Sequence, residues 1–174
     1  MDDQRILLRH FLAALAYRTQ KALREAPAEF GNFRAADGVR TPAELVRHMT
    51  SVLGYGRTFF IGGHYRPEQL PSLDQEIIRF HNMLEELARH FEAGTPLLRD
   101  MSLERLLQGP LSDAMTHAGQ LAILRRLAGV PVPPENFIFA DIDPKRLGIE
   151  QAEPVSADMK WPEAPAGWVP RSKG

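Results

Sequence analysis

Asp113 and His117 lie four residues apart in a segment that continues at helical spacing with Leu121, Leu124 and Ala128. Residues at i and i+4 share one helix face, so carboxylate and imidazole point the same way, and the leucines mark that way as inward. A polar pair on a core-facing stripe must find partners, because an unpaired buried group costs roughly 1–3 kcal/mol. A metal ion would satisfy both groups, and so would an ordinary buried hydrogen-bond network. His48 is the third candidate, placed between Leu45 and Val52 on the apolar stripe of an earlier helix. Two histidines and a carboxylate from two helices make a three-donor set with an open position, the pattern of catalytic zinc and non-haem iron sites.

Each residue also has a plainer reading. Asp113 follows closely on Pro110, where a carboxylate would stabilise the first turn of a helix through its charge. His117 is mid-helix, where capping cannot explain it. Gln120, on the same stripe, can hydrogen-bond a ligand or bound substrate, or equally the backbone of a neighbouring helix. Glu44 is one turn before His48 and is already explained as a capping residue. His81, between Ile77 and Leu84, faces inward as a core histidine, with a reserve role as ligand or general base. His10, His64 and His90 have no identifiable partner and read as exposed or loop residues. Arg125 and Arg126 complement a helix C-terminus. Tyr55 and Arg57 are candidates for a pocket mouth.

The elements that must position these residues are helices. The first spans about Asp3 to Arg24, with Leu8, Phe11, Leu12 and Leu15 on one face, and stops before Pro27. The second opens at Thr41-Pro42-Ala43-Glu44: Thr as N-cap, Pro at the first helical position and Glu at the third form a capping box. Its inward stripe is Leu45, His48 or Met49, Val52 and Phe59, and it ends near Ile61-Gly62-Gly63. The third starts at Ser72 and carries Ile77, Phe80, Leu84, Leu87 and Phe91 to Gly94. Leu103–Leu107 reads as a short lead-in, Gly109-Pro110 as a break, and the fourth helix as running from Pro110 to about Ala128 with Gly129 beyond it. Residues 130–174 hold eight of the 14 prolines and both tryptophans, Trp161 and Trp168. That forbids a fifth long helix; Trp161, Trp168, Phe137 and Phe139 point to an arm packed on the helices. The expected architecture is all-α: a four-helix bundle over residues 1–129, with residues 130–174 as an irregular, proline-rich arm of the same domain.

Asp113-Ala-Met-Thr-His117-Ala-Gly119-Gln120-Leu121, with His48 upstream in Glu44-Leu45-Val46-Arg47-His48-Met49, resembles the DinB-like four-helix bundle superfamily. That superfamily includes bacillithiol transferases and mycothiol-dependent maleylpyruvate isomerase, and is distinct from the DNA polymerase that shares the name. Its motif is one His on the second helix and His-x-x-x-His followed by Gly-Gln-Leu on the last. By position His48 matches the first ligand and His117 the third, whereas Asp113 stands where the family more often has His. The likeness covers about Thr41 to Gly129 and leaves out the arm. It implies one divalent metal (zinc, nickel, iron or manganese) on His48, Asp113 and His117. The carboxylate at 113 adds a hard oxygen donor that suits iron(II), manganese or zinc; alternatively Asp113 orients a histidine without ligating. The implied chemistry is transfer of a thiol or small group, with metal-assisted hydrolysis next, and a homodimer paired through helix faces.

Composition narrows the classes. Net charge is −1, with 21 basic and 22 acidic residues, so there is no global pull toward nucleic acid or an anionic membrane. No cysteine is present, which excludes disulfides, a thiolate nucleophile and cysteine-ligated metals; thiol chemistry would need an external low-molecular-weight thiol. The start, MDDQRILLRHF, lacks the basic and apolar regions of a signal peptide, and no stretch has membrane-spanning length, so a cytoplasmic location is expected. The rival to a metal enzyme is a non-catalytic bundle with a structural polar core, serving dimerisation or partner binding. A catalytic centre requires a solvent-reachable cavity at the three residues. A structural network would be sealed.

Overall fold

The computed structural model describes residues 2–154 together with 161, 164 and 166. Among these the chain is all-helical, with no strand. The helices are α1 (Asp3–Leu23), α2 (Pro42–Ile61), α3 (Leu73–Glu92), the one-turn α4 (Leu103–Leu106) and α5 (Ser112–Leu127). Trp168 lies outside the described residues.

The helix ends follow local chemistry. Asp2 caps α1 by accepting from the Arg5 N–H at 2.9 Å. At α2 the capping box is complete: Thr41 Oγ1 accepts from Glu44 N–H at 3.2 Å, and Glu44 Oε2 accepts from Thr41 N–H at 2.8 Å. Gly62 closes α2 at φ 78°, a left-handed conformation that only glycine adopts without strain. Ser72 caps α3 through Gln75 N–H at 3.3 Å.

The four long helices pack in the order α1–α3–α2–α5, each against two neighbours, with α5 returning to α1. Only the α2–α3 connection joins neighbours. The chain crosses a diagonal from α1 to α2 and again from α3 to α5. Leu12, Leu15, Met49, Leu53, Phe80, Leu84 and Leu121 fill the centre with essentially no exposure. Burying each such side chain contributes about 1.5–3 kcal/mol, the main term holding the helices together.

Gly109-Pro110 does not break the last helix. Residues Leu107–Leu111 form a π turn that joins α4 to α5. Proline has no N–H to donate, and its ring would clash with a carbonyl four residues back in an α-helix. The wider turn relieves this, and the Ser112 N–H reaches the Leu107 carbonyl instead. The helical start therefore moves upstream to Ser102, whose side chain accepts from Arg105 N–H at 3.3 Å.

The arm touches α1 and α3. Tyr17 donates to Glu135 at 2.6 Å, Lys21 to the Pro133 carbonyl at 2.5 Å, and Arg24 to the carbonyls of Gln151 and Ala152. Phe137 meets Tyr17 edge-on, and Leu147 and Trp161 are buried. Phe139 does not pack as expected: it is 65% exposed, because the 3-10 turn Phe137–Phe139 presents only Phe137 to α1.

Candidate metal centre

α2 and α5 pack directly against each other, and each supplies part of one polar cluster. His48, on α2, is held in place by the buried Leu45 and Met49 on the same helix, and is itself half-buried. His117, on α5, sits among the buried Ala114, Ala118 and Leu121 and is 8% exposed. Close approach of the two helices beside the cluster depends on Gly56, where a Cβ would come within 3.2 Å of the Pro110 ring. The π turn and the small residue opposite it thus bring α5 onto α2.

Donor atoms of His48, Asp113 and His117 all lie within 4.8 Å of one another, so the three form a group able to hold a metal ion. His117 Nε2 is 3.3 Å from Asp113 Oδ1, close to the roughly 3.4 Å edge of a tetrahedron with bonds of about 2.1 Å. The His48 and His117 rings meet edge-to-face with centroids 4.8 Å apart. Among the described residues no other group of three such donors converges.

The contacts of His117 favour one tautomer. Its Nδ1 lies 2.7 Å from Gln120 Oε1, and an amide oxygen only accepts, so Nδ1 carries the proton. In the neutral ring Nε2 is then a bare lone pair, and it faces a carboxylate oxygen that also only accepts. A proton or a cation must lie between them. Donor chemistry therefore fits a metal ion, with Gln120 doing what carboxylate or carbonyl partners do behind metal-bound histidines elsewhere. Burial holds the His48 ring below its ordinary pKa, with the Arg40 charge acting in the same direction. Both keep it neutral, the form that ligates.

Asp113 departs from the expected inward position. Its side chain is 49% exposed, at the rim rather than in the core. Four residues turn about 400°, so an i, i+4 stripe drifts about 40° around the helix at each step, and the two ends of a stripe need not be equally buried. The first-turn explanation for Asp113 fails too, since the helix continues unbroken into α4 and its free N–H groups lie near Ser102.

Two cavities adjoin the cluster. One of about 460 Å³ is lined by His48 and Ser51, together with Arg34, Arg40, Arg47 and Arg66. The other, about 630 Å³, is lined by Ser51, Val52, Tyr55, Pro110, Asp113 and Thr116. His48 and Asp113 are consequently reachable from solvent, while His117 lies behind them, buried and lining neither cavity.

The remaining candidates take structural places. His81 is buried, with Nδ1 2.6 Å from the Leu147 carbonyl. Glu44 serves the capping box. His90, expected from sequence to lack a partner, instead sits on α3, stacks on Phe60 and lies 3.3 Å from Thr95 Oγ1. Arg57 pairs with Glu86 and lies over the Tyr65 ring, and lines neither of these two cavities, whereas Tyr55 lines the second. Arg125 is buried, donating to the carbonyls of Val130 and Arg24 at 2.7 and 3.2 Å. Sequence reasoning missed the four arginines beside His48. Their only sequence signal is their number within residues 34–66, and what unites them is tertiary.

No family model, curated protein or solved structure matches the chain.

Proposed function

We propose that this chain is a DinB-like four-helix bundle that binds one divalent metal ion through His48, Asp113 and His117 and works as a metal-dependent enzyme of small-group transfer. The observation that carries the reading is His117 Nε2, on a ring whose Nδ1 is bonded to Gln120 Oε1, facing Asp113 Oδ1 across 3.3 Å, beside solvent-reachable cavities. When bound, the ion supplies Lewis acidity toward a water, thiol or substrate oxygen at an open position. The chain's residues do the rest. Gln120 orients the His117 ring, Asp113 contributes a hard anionic oxygen, His48 stays neutral, and the two cavities admit the reactants. Zinc, iron(II), manganese and nickel all accept such a mixed nitrogen and oxygen set.

Transfer of a thiol or small group is favoured over hydrolysis by the motif resemblance. With no cysteine in the chain, the thiol is an external low-molecular-weight one. A purely structural polar core is the rival, and the half-exposed Asp113 weighs against it, since a sealed network has no reason to leave its carboxylate in water.

Elemental mass spectrometry of tag-free protein, wild type beside His117→Ala, tests the proposal. About one equivalent of metal in the wild type, lost in a variant that still folds, is the expected result. No metal in either protein after incubation with excess divalent ions sinks it, as does strong unfolding of the variant with chelator making no difference.

A further inference from the structure

We propose that the cavity beside His48 is the binding site for an anionic group of the substrate, a carboxylate or phosphate, held by Arg34, Arg40, Arg47 and Arg66. The inference names the substrate class of the metal centre and takes its catalytic meaning from that reading, but the anion site itself stands without the ion.

The four guanidinium groups come from three separate segments. Arg34 and Arg40 precede α2, Arg47 is on α2, and Arg66 follows it. Against them the cavity holds one carboxylate, Glu44, which is committed to the Thr41 N–H at 2.8 Å. Arg34 reaches that carboxylate only at 3.4 Å. The acid beside Arg47 is Glu76 at 3.9 Å, and Glu76 is held more closely by Arg79. Arg40 and Arg66 make no hydrogen bond or ion pair among the described residues. A chain with net charge −1 thus concentrates an excess of positive charge around a single hollow.

Like charges gathered around one open hollow repel one another and attract a counter-ion. Guanidinium forks match carboxylate and phosphate oxygens in a two-pronged geometry that ammonium groups lack. A volume of about 460 Å³ suits a metabolite rather than a bare halide, metabolite pockets running from about 300 to 1,000 Å³. His48 belongs both to this cavity and to the donor cluster, so an anion seated on the arginines places the rest of its molecule against the metal centre. The neighbouring cavity, with Val52, Tyr55 and Pro110 in its wall, has room for a less polar remainder.

The test uses the full-length protein, freed of metal and dialysed, titrated calorimetrically at low ionic strength with inorganic phosphate and separately with succinate. Compared with it are the double variant Arg40→Gln/Arg66→Gln and, as a control for general charge, Arg105→Gln on α4, which does not line the cavity. The expected result is one saturable site, weakened at least about tenfold in the double variant and unchanged in the control. Tighter phosphate binding assigns a phosphorylated substrate, and tighter succinate binding a carboxylate; both support the site. No saturable binding, or equal weakening in both variants, overturns it. Metal content separates the two proposals. If the double variant loads metal like the wild type yet has lost the anion, both stand; if the wild type binds the anion and never a metal, only the metal reading falls.

Discussion

The proton on His117 Nδ1 decides what the opposite ring nitrogen can do. With Nδ1–H donating to Gln120 Oε1 at 2.7 Å, Nε2 of the neutral ring presents its lone pair toward Asp113 Oδ1, leaving room for a cation between them. Gln120 itself is exposed, so its side chain contributes little to folding and its effect should be read at the metal. Replacing it with Leu removes the acceptor and frees the ring to turn or change tautomer; metal affinity should fall about 10- to 100-fold, with the melting temperature of the metal-free protein nearly unchanged. Gln120→Glu keeps an acceptor at the same reach, and should retain affinity or raise it. Competition against a chromogenic chelator measures both, and equal affinities for all three proteins would remove Gln120 from the site. At this scale the sequence was informative where one helix carries the information. Asp113, His117 and Gln120 are readable from spacing alone, and His48 from its place in a stripe. How deeply Asp113 sits was not readable, because exposure at a rim depends on how α2 and α5 meet.

Two glycines in helices show how an element's own preference can be overruled by its neighbour. Glycine within a helix costs about 0.8–1 kcal/mol relative to alanine, so Gly→Ala should stabilise both α2 and α5. At Gly119 nothing lies within 4 Å of the position a Cβ would take, and Gly119→Ala should stabilise by about that amount. At Gly54 a Cβ would fall 2.0 Å from the Tyr65 ring, far inside contact distance. Overpacking of that kind costs about 1–3 kcal/mol, so Gly54→Ala should destabilise despite the better propensity. Urea denaturation of the two variants checks the opposite signs; the same sign in both would mean that Tyr65 does not pack on α2 as described. The contrast also explains which parts of the elements were legible. Capping at Thr41 and Ser72 is local chemistry and was readable to the residue, as were the ends at Ile61 and Leu23 within one position. The π turn was not. Gly109-Pro110 carries the local signature of a break; the wider turn carries the helix past it, and Pro110 then packs against Gly56 on another helix, a contact no local pattern announces.

At the scale of the whole molecule, the donor cluster and the described arm contacts draw on different helices. Cluster residues come from α2 and α5, whereas the described side-chain contacts of the arm beyond Val130 include α1 through Tyr17 and Arg24 and α3 through His81. Helix order and the two diagonal crossings were beyond the sequence, because loop lengths permit several closed arrangements of four amphipathic helices. His81 ties α3 to the arm through the Leu147 carbonyl, and it makes that tie sensitive to acid. Burial pushes its pKa down from 6.5 to about 4, partly opposed by the bond to Leu147. In the unfolded chain the ring takes up a proton below about pH 6.5; in the folded protein it resists until about pH 4. The unfolded state therefore binds more protons between those values, and stability rises with pH across that window. The contribution is complete above about pH 6.5 and is lost as pH falls toward 4, reaching roughly 2–3 kcal/mol at pH 4.5. Asn at position 81 places an N–H close to where Nδ1 stands and cannot titrate. Urea denaturation of wild type and His81→Asn from pH 7.5 to 4.5 should show the wild type losing that much more stability than the variant. A difference between the two proteins that stays constant over the range would mean that position 81 is hydrated, and that the arm is not closed over α3.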